Sequence, residues 1–267
     1  MMPCIICGND KKVFVPVFAY DKPDKYESWV GIHDDLLARW WEKCGCGFYR
    51  SYRNYPLADL QKIYNEGYRN EKFRGETIRQ AYEKMMSLPP EKSENFQRFR
   101  WFIRNISQKT GCSILDIGSG LGVWPDVLNK AGYDVWCMET NKESLEFIRH
   151  ELKIKCVDEL PSYAKFDIIT CLHVLEHIED PKSFLASIKG MMKSDSELFI
   201  EVPDAAEFGY LKEDNNEFSS DHVYFFDLST LNRLLESCGF EIIHAYRPFY
   251  KERQLSRVLT IARLKRQ

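Results

Sequence analysis

From Gly111 to the end of the chain, strand-like and helix-like segments alternate regularly, and this alternation constrains the fold more than any other feature. The strand-like segments are short and apolar, as in "SILDIG", "YDVWCME", "FDIITCL" and "SELFIEVP". Between them lie stretches with apolar residues at helical spacing, such as "VWPDVLNKAG", "KESLEFIRHEL" and "PKSFLASIKGMM". Helical crossovers of this kind predict a mostly parallel sheet with helices on both faces. The last two strands, "FEIIHAYRP" and "RVLTIARLK", have no helix between them, which predicts an antiparallel pair.

The complete pattern predicts three regions. Residues 1–55 contain four clustered cysteines and aromatic, strand-like stretches, and they are expected to form a small zinc-binding module. Residues 56–109 read as helices, with a break at "LPPEKSE", and are expected to form a linker or lid. Residues 110–267 are expected to form an α/β domain, a Rossmann-like doubly wound sheet of seven strands whose last strand is antiparallel.

Composition excludes several classes of protein. The chain has 37 basic and 40 acidic residues, a formal net charge of -3, which argues against an extended nucleic-acid surface. The N-terminus lacks the apolar core of a signal peptide, and no run is long enough to cross a bilayer. We therefore expect a cytoplasmic protein without membrane insertion. Its nine cysteines are then expected to be metal ligands and buried thiols rather than disulfides.

Four cysteines form two knuckles, Cys4-x2-Cys7 and Cys44-x-Cys46. A glycine follows each pair, which permits the tight turns that aim thiolates at one ion. Four thiolates satisfy tetrahedral zinc in a closed structural site, so we expect these cysteines to bind Zn²⁺. The C-x-C knuckle departs from the usual C-x2-C spacing, and unrelated reduced cysteines are the alternative.

The stretch "ILDIGSGLG" predicts a ligand site at the first strand of the α/β domain. Asp116 ends that strand, and Gly118, Gly120 and Gly122 follow at alternate positions. Glycines here let the chain turn sharply and let a ligand lie against the backbone. Their spacing is out of step with the dinucleotide pattern G-x-G-x-x-G, which disfavours NAD. Glu139 ends the next strand, at the sheet edge where a carboxylate can accept both hydroxyls of a ribose.

From about Gly111 to Lys265 the chain resembles class I S-adenosylmethionine-dependent methyltransferases, particularly those that act on small molecules and sugars. The resemblance lies in "LDIGSGLG", "CMET", "FDIITCLHVLEHIEDP", "LFIEVPD" and "DHVYFF". It implies that Asp116 and the backbone of residues 118–122 hold the methionine end of the cofactor, that Glu139 binds the ribose, and that Asp158 or Glu159 lies near the adenine. The remaining cofactor contacts that it implies are Ser119, Thr140, Leu172 and His173.

The stretch "CLHVLEHIED" contains His173-x-x-Glu176-His177, the arrangement of inverted zinc peptidases. A peptidase needs these histidines on a long helix, whereas here they directly follow a strand, so we reject that interpretation. In the methyltransferase interpretation, His173 faces the pocket, while Glu176 and His177 brace the helix start. Relatives with an E-x-x-E-H version of the motif hold a divalent ion on substrate hydroxyls. A metal bound by these residues and His222 therefore remains an alternative, with a transition metal favoured over magnesium.

Methyl transfer from a sulfonium requires alignment of the two partners and removal of a proton from the acceptor. His222 in "SSDHVYFF" is the preferred base, because histidine titrates near neutrality and Asp221 stands beside it to orient the ring. Tyr224 lies two residues after His222 and is expected to assist in the removal of this proton. The alternative is an ordinary loop histidine. Tyr64 and Tyr68, four residues apart in the helical region, are expected on a lid over cofactor and acceptor.

The resemblance thus implies a methyltransferase that acts on a hydroxyl group of a small metabolite, a sugar or a surface-glycan precursor, with a carbon or nitrogen atom as the alternative acceptor. A zinc-finger RNA methyltransferase is the first alternative. The net acidity opposes it, as does the absence of a proline-aromatic motif after "DIIT" that would grip a flipped base. A scaffold protein that binds the nucleoside without turnover is the second alternative. The sequence identifies neither the acceptor nor the oligomeric state.

Overall fold

The computed structural model describes residues 3–9, 14–55, 74–157 and 164–266. Its strands, in chain order, are β1 (Phe14–Ala19), β2 (Arg39–Cys44), β3 (Tyr49–Arg53), β4 (Ser113–Ile117), β5 (Asp134–Met138), β6 (Lys155–Cys156), β7 (Phe166–Leu172), β8 (Met192–Pro203), β9 (Tyr224–Phe225), β10 (Phe240–Tyr246), β11 (Phe249–Tyr250) and β12 (Leu255–Leu264). Its helices are α1 (Lys25–Trp29), α2 (Ile78–Met86), α3 (Glu94–Asn105), α4 (Val123–Lys130), α5 (Lys142–His150), α6 (Pro181–Gly190) and α7 (Leu228–Ser237).

The large sheet has the strand order β10-β12-β8-β7-β4-β5-β6, and the short β11 pairs with β12. Strands β8, β7, β4, β5 and β6 are parallel, whereas β12 runs antiparallel to both of its neighbours. From β4 the sheet grows outwards in one direction through β5 and β6, and in the opposite direction through β7 and β8, so the strand order reverses beside β4. The gap above the carboxyl ends at this reversal is where open α/β sheets bind ligands.

The small sheet has the order β1-β2-β3-β9, and its fourth strand comes from far along the chain. Tyr49 pairs with Phe225 and Arg50 with Tyr224, both antiparallel. The two sheets are therefore joined by a backbone pairing as well as by side-chain packing. Trp41, Tyr49, Phe218 and Phe225 form one buried cluster at this junction.

Polar caps begin most of the helices around the large sheet. Asn141 accepts a hydrogen bond from the Ser144 amide at the start of α5, and Asp180 caps α6, which has a proline in its first turn. Asp227 and Thr230 form a reciprocal capping box at the start of α7. These caps fix where each helix starts and therefore where each loop at the carboxyl edge of the sheet ends.

The architecture confirms the predicted fold class: a mostly parallel, doubly wound sheet with an antiparallel last strand, preceded by a cysteine cluster. The helices expected around "LPPEKSE" are α2 and α3. The pairing of β9 with the small sheet was not expected, because no strand was predicted at "DHVYFF". The expected helix at "PLADLQKIYNEGY", with Tyr64 and Tyr68, lies outside the described residues. Within the described part of the chain, no helix has both the length and the apolar character needed to cross a bilayer.

Candidate functional site

A cavity of about 1360 Å³ opens above the carboxyl ends of the central strands. The loops after β4, β5 and β7 form one wall, and residues between β8 and β9 form the opposite wall. Pockets for one small ligand usually enclose roughly 300–1,000 Å³. This cavity therefore has room for two ligands side by side.

The glycine loop after β4 forms the floor of one side of the cavity. Gly118 has φ +76°, a backbone conformation that residues with a Cβ atom rarely adopt. A Cβ atom at Gly118 would lie 2.3 Å from Cγ2 of Val174, which belongs to the loop after β7. Gly122 is equally constrained, because a Cβ there would lie 2.7 Å from Cδ1 of Leu152. The glycines thus let two loops of the sheet edge approach each other closely.

Two carboxylates flank this loop. Asp116 is buried at the end of β4, and the hydroxyl of Thr170 donates to its Oδ1 at 2.5 Å. Burial raises the pKa of Asp116 to about 7, although the hydrogen bond from Thr170 opposes this shift. Glu139 follows β5 directly. Its Oε2 accepts from the Gly120 amide at 2.7 Å, and its Oε1 accepts from the Asn141 amide at 2.9 Å. The carboxylate of Glu139 therefore bridges the glycine loop and the start of α5.

His173 occupies the loop after β7 with an unusual backbone, φ 55°. Its amide donates to the Glu201 carbonyl at 2.9 Å, and its ring Nε2 lies 2.9 Å from Glu201 Oε1. Its Nδ1 lies 3.3 Å from Glu176 Oε1. Burial alone would lower the pKa of His173, but the two carboxylates outweigh burial and raise it to about 9. A ring between two carboxylates is an imidazolium cation, which cannot accept a proton from a substrate.

A buried ion pair holds that histidine in place. Arg98 of α3 donates to Glu201 Oε2 at 2.6 Å, with a second contact to Oε1, and both side chains are buried. The charge of Arg98 keeps the pKa of Glu201 well below its usual range, although burial acts in the opposite direction. Helix α3 is therefore tied to the carboxyl edge of the sheet through Arg98, Glu201 and His173.

Glu176 and His177, from the turn after β7, meet His222, from the residues before β9, and the three form a compact polar group. One ligand atom from each lies within 4.8 Å of the others. Glu176 is 1% exposed, its Oε1 faces His173 Nδ1 at 3.3 Å, and its Oε2 has no hydrogen-bond partner among the described residues. His177 Nδ1 lies 3.0 Å from the Asp221 carbonyl, and His222 Nδ1 lies 2.7 Å from the Glu217 carbonyl. Since a carbonyl only accepts, Nδ1 carries the proton in both rings, and the lone pair of a neutral ring is then on Nε2.

His222 belongs to a segment, Asn216–Phe226, that we call the His222 segment. The sequence suggested that Asp221 orients the ring of His222, and the structure places the Glu217 carbonyl at its Nδ1. The carboxylate of Asp221 accepts from the Ser219 hydroxyl and approaches His177. Tyr224 does not line the cavity. It is buried in β9, where its hydroxyl donates to the Glu179 carbonyl at 2.8 Å.

The structure brings together most of the residues that the sequence singled out. The cavity walls include Asp116, Gly118, Ser119, Gly120, Glu139, Thr140, Leu172, His173 and His222. Gly122 lies behind the loop rather than on the wall, and Asp158 and Glu159 lie outside the described residues. Sequence reasoning missed Arg98, Glu201, Glu217 and Arg257. A glutamate inside the apolar strand "LFIEVP" was the one available signal, since a buried carboxylate requires a partner.

The four cysteines of the N-terminal module converge on one point. Cys4 Sγ lies 3.8 Å from Cys46 Sγ, and Cys7 Sγ lies 3.7 Å from Cys44 Sγ. All four sulfur atoms lie within 4.8 Å of one another, and none is in a disulfide. Ligands about 2.3 Å from a tetrahedral zinc are about 3.8 Å apart, so the cysteine cluster fits a zinc ion.

Comparison with known proteins identifies the family of this chain. A family of methyltransferase domains matches residues 74–245. Over 104 residues, the chain is 31% identical to a ubiquinone biosynthesis O-methyltransferase of Actinobacillus pleuropneumoniae, covering 33% of this chain and 44% of that protein. It is 29% identical over 159 residues to the Aliivibrio fischeri protein of the same name, covering 55% and 56%. The chain thus spans about half the length of the curated relatives that it matches.

The fold also resembles a solved structure. This is the Burkholderia thailandensis 1,6-didemethyltoxoflavin-N1-methyltransferase with bound 1,6-didemethyltoxoflavin and S-adenosylhomocysteine. The TM-score is 0.54 and the identity is 16%, with 82% of this chain and 96% of that chain covered. At this identity the likeness shows a shared fold.

The contact between Gly118 and Val174 gives a test of the loop geometry. We expect Gly118→Ala to lower the free energy of unfolding by about 2–4 kcal/mol, because the new methyl group meets Val174 and the backbone keeps its positive φ. Val174→Ala removes the colliding methyl, so the double variant should be at least about 1 kcal/mol more stable than the sum of the single effects predicts. Urea unfolding of the three variants measures this, and strictly additive losses would contradict the close approach.

Proposed function

Since this chain belongs to the methyltransferase-domain family, we propose that it is an S-adenosylmethionine-dependent methyltransferase whose reaction takes place in the cavity above the central strands. The observation that carries the proposal is the cavity's two-sided construction. A glycine loop with two carboxylates lies on one side, and a group of histidines lies on the other. A cavity of about 1360 Å³ gives room for both a nucleoside cofactor and an acceptor.

The cofactor side fits an adenosyl amino acid. When bound, S-adenosylmethionine supplies a methyl group that is activated by its attachment to a cationic sulfur. Asp116 and the amides of the glycine loop would hold the amino-acid end, and Glu139 the ribose hydroxyls. Thr140, Ser119 and Leu172 line the same side. The absence of side chains at the glycines is the supporting feature, because the ligand would lie directly against the main chain.

On the acceptor side, His222 would take the proton from the acceptor hydroxyl. Its Nδ1 donates to the Glu217 carbonyl, which fixes the ring and leaves the lone pair on Nε2. It lines the cavity and is 9% exposed. His173 is unsuited to this role because both of its ring nitrogens face carboxylates. Its fixed positive charge would instead stabilise negative charge that develops on an acceptor oxygen.

The acceptor would be a hydroxyl group of a small molecule. The curated relatives are named as O-methyltransferases of ubiquinone biosynthesis, which favours oxygen as the methylated atom. The stretches "FDIITCLHVLEHIEDP", "LFIEVPD" and "DHVYFF" resemble those of small-molecule and sugar methyltransferases, so a sugar or surface-glycan precursor belongs to the same proposal. A panel that contains phenolic ubiquinone precursors and nucleotide-linked sugars, assayed by mass shift, distinguishes these acceptor classes.

For the N-terminal module we propose one structural zinc ion held by Cys4, Cys7, Cys44 and Cys46. The sulfur spacings support it, as does the burial of Cys4 and Cys44 against the core of the large domain. A four-thiolate site is closed to substrate, so this ion would stabilise the module rather than take part in the reaction.

A second candidate function is metal-assisted methyl transfer at Glu176, His177 and His222. It is favoured by the carboxylate of Glu176, which is buried and whose Oε2 has no hydrogen-bond partner among the described residues. Ring nitrogens that donate to carbonyls are also typical of histidine ligands, whose other nitrogen binds the metal. A divalent ion there would lower the pKa of the acceptor hydroxyl, and His222 would then be a ligand instead of the base.

The role of His222 is tested by substitution. We expect His222→Ala to lower kcat by about 10²–10⁴-fold, while the affinity for S-adenosylhomocysteine changes little, because the histidine faces the acceptor and not the glycine loop. Exposed His244 on β10 supplies the matched control, and His244→Ala should keep wild-type turnover. Single-turnover kinetics and calorimetry measure the two quantities. Full activity in the His222 variant would remove this residue from the mechanism.

The metal content of purified variants distinguishes the proposed zinc ion at the four cysteines from a metal ion at Glu176, His177 and His222. In protein purified from medium with added zinc, manganese and cobalt, we expect one zinc per chain, reduced by Cys44→Ser but not by Glu176→Gln. If the second candidate function holds, a further equivalent of metal is present, and Glu176→Gln removes it without affecting the first. Zinc content that is unchanged by Cys44→Ser, in protein that remains folded, would contradict the four-cysteine site.

A further inference from the structure

The His222 segment lies between the N-terminal module and the cavity, and from Glu217 to Asp221 its residues alternate between the two. The residues that line the cavity are Asn216, Glu217, Ser219, Asp221 and His222. Phe218 and Ser220, which alternate with them, are buried and contact the N-terminal module. One side of the segment therefore belongs to the site and the other belongs to the module.

The N-terminal module supplies hydrogen bonds along the length of this segment. The Phe218 carbonyl accepts from the Tyr20 hydroxyl at 2.8 Å and from Arg39 Nη1 at 2.9 Å. The Ser220 amide donates to Asp24 Oδ2 at 2.6 Å, and the Ser220 hydroxyl donates to Asp24 Oδ1 at 3.0 Å. These contacts fix the segment just before His222.

At His222 and beyond, strand β3 provides the contacts. Arg53 Nη2 donates to the His222 carbonyl at 3.1 Å, and the Ser51 amide donates to the Val223 carbonyl at 2.8 Å. From the opposite side, the Val223 amide donates to the Glu176 carbonyl at 2.8 Å. The backbone around His222 is thus held between β3 of the module and the turn that carries Glu176 and His177.

The segment has little regular structure of its own to satisfy these groups. Apart from the 3₁₀ turn at Asn216–Phe218, the turn in which the His222 amide donates to the Ser219 carbonyl, and the two residues of β9, the backbone hydrogen bonds named above come from other parts of the chain. Buried carbonyls need donors, and a loop that lacks them adopts several conformations. Without the module, the carbonyls of Phe218, His222 and Val223 would each lose a donor.

We propose that the N-terminal module is the device that positions His222, and that Arg53 is a positioning residue acting through the His222 carbonyl. The module is then part of the acceptor side of the site, although its cysteines take no part in the chemistry. The catalytic consequence rests on the proposed methyltransferase function, whereas the ordering of the segment does not depend on it.

The test uses the full chain and four variants. Arg53→Met removes the donor to His222, and Arg53→Lys retains a donor. Ser220→Ala removes one contact with Asp24 at little risk to folding. Arg50→Met is the matched control, because Arg50 lies on the same strand and pairs with Tyr224 only through its backbone in the β3–β9 ladder, which the substitution retains, while its side chain pairs with Glu42 of the module. Hydrogen exchange of amides 216–226, kcat, and the Kd for S-adenosylhomocysteine are measured for each variant.

We expect Arg53→Met to speed exchange across residues 216–226 by about 10-fold or more and to lower kcat by about 10–100-fold. The Kd for S-adenosylhomocysteine should stay within about 2-fold, because the glycine loop is untouched. Arg53→Lys should recover most of kcat, Ser220→Ala should speed exchange in the same segment, and Arg50→Met should resemble the wild type.

Unchanged exchange in both Arg53→Met and Ser220→Ala would overturn the proposal, as would an equal loss of activity in Arg50→Met. If the wild type transfers no methyl group to any acceptor, the proposed function fails. The exchange measurement then still decides the positioning role by itself.

Discussion

The turn after β4 is the constraint on which the rest of the site depends. At Gly118 the backbone takes a positive φ and passes so close to Val174 that even a methyl group at this position would collide. This close approach brings the loop after β4 against the loop after β7, and Glu139 joins the start of α5 to the loop after β4 through the Gly120 amide. Three strand ends thereby converge on one cavity. A residue other than glycine would separate these loops.

On the other side of the cavity, a series of buried charges, rather than a close approach of the backbone, holds the site together. The ion pair of Arg98 and Glu201 fixes His173 as a cation, and that cation faces the buried carboxylate of Glu176. Each buried charge is compensated by the next, which is the condition under which charged groups persist inside a protein. The same series of residues connects α3 to the cavity. The helical region before the α/β domain is therefore coupled to the acceptor side of the site.

The sequence predicted the large sheet well, and the residues expected on the cofactor side lie together at one edge of that sheet, because the signals for both are local. The strand periodicity, the glycine spacing and the carboxylate at the end of the next strand can each be recognised within a short stretch of sequence. The sheet topology then places the glycines and the carboxylate at one edge. The acceptor side was predicted less well because it is assembled from distant residues. Neither Arg98 nor Arg53 carries a local signal, and their partners Glu201 and His222 are more than 100 residues away. The strand role of Tyr224 was hidden for the same reason, since β9 is two residues long and exists only by pairing with β3.

The central claim is that the glycine turn and Glu139 form a site for an adenosyl amino acid. Titration calorimetry of the purified chain with S-adenosylhomocysteine tests it most directly, with Glu139→Ala as the comparison. The account predicts binding at one site per chain, and an affinity at least about 10-fold weaker when the carboxylate that would accept the ribose hydroxyls is removed. Folded wild-type protein that releases no heat, or a Glu139→Ala variant that binds as tightly as the wild type, would contradict it.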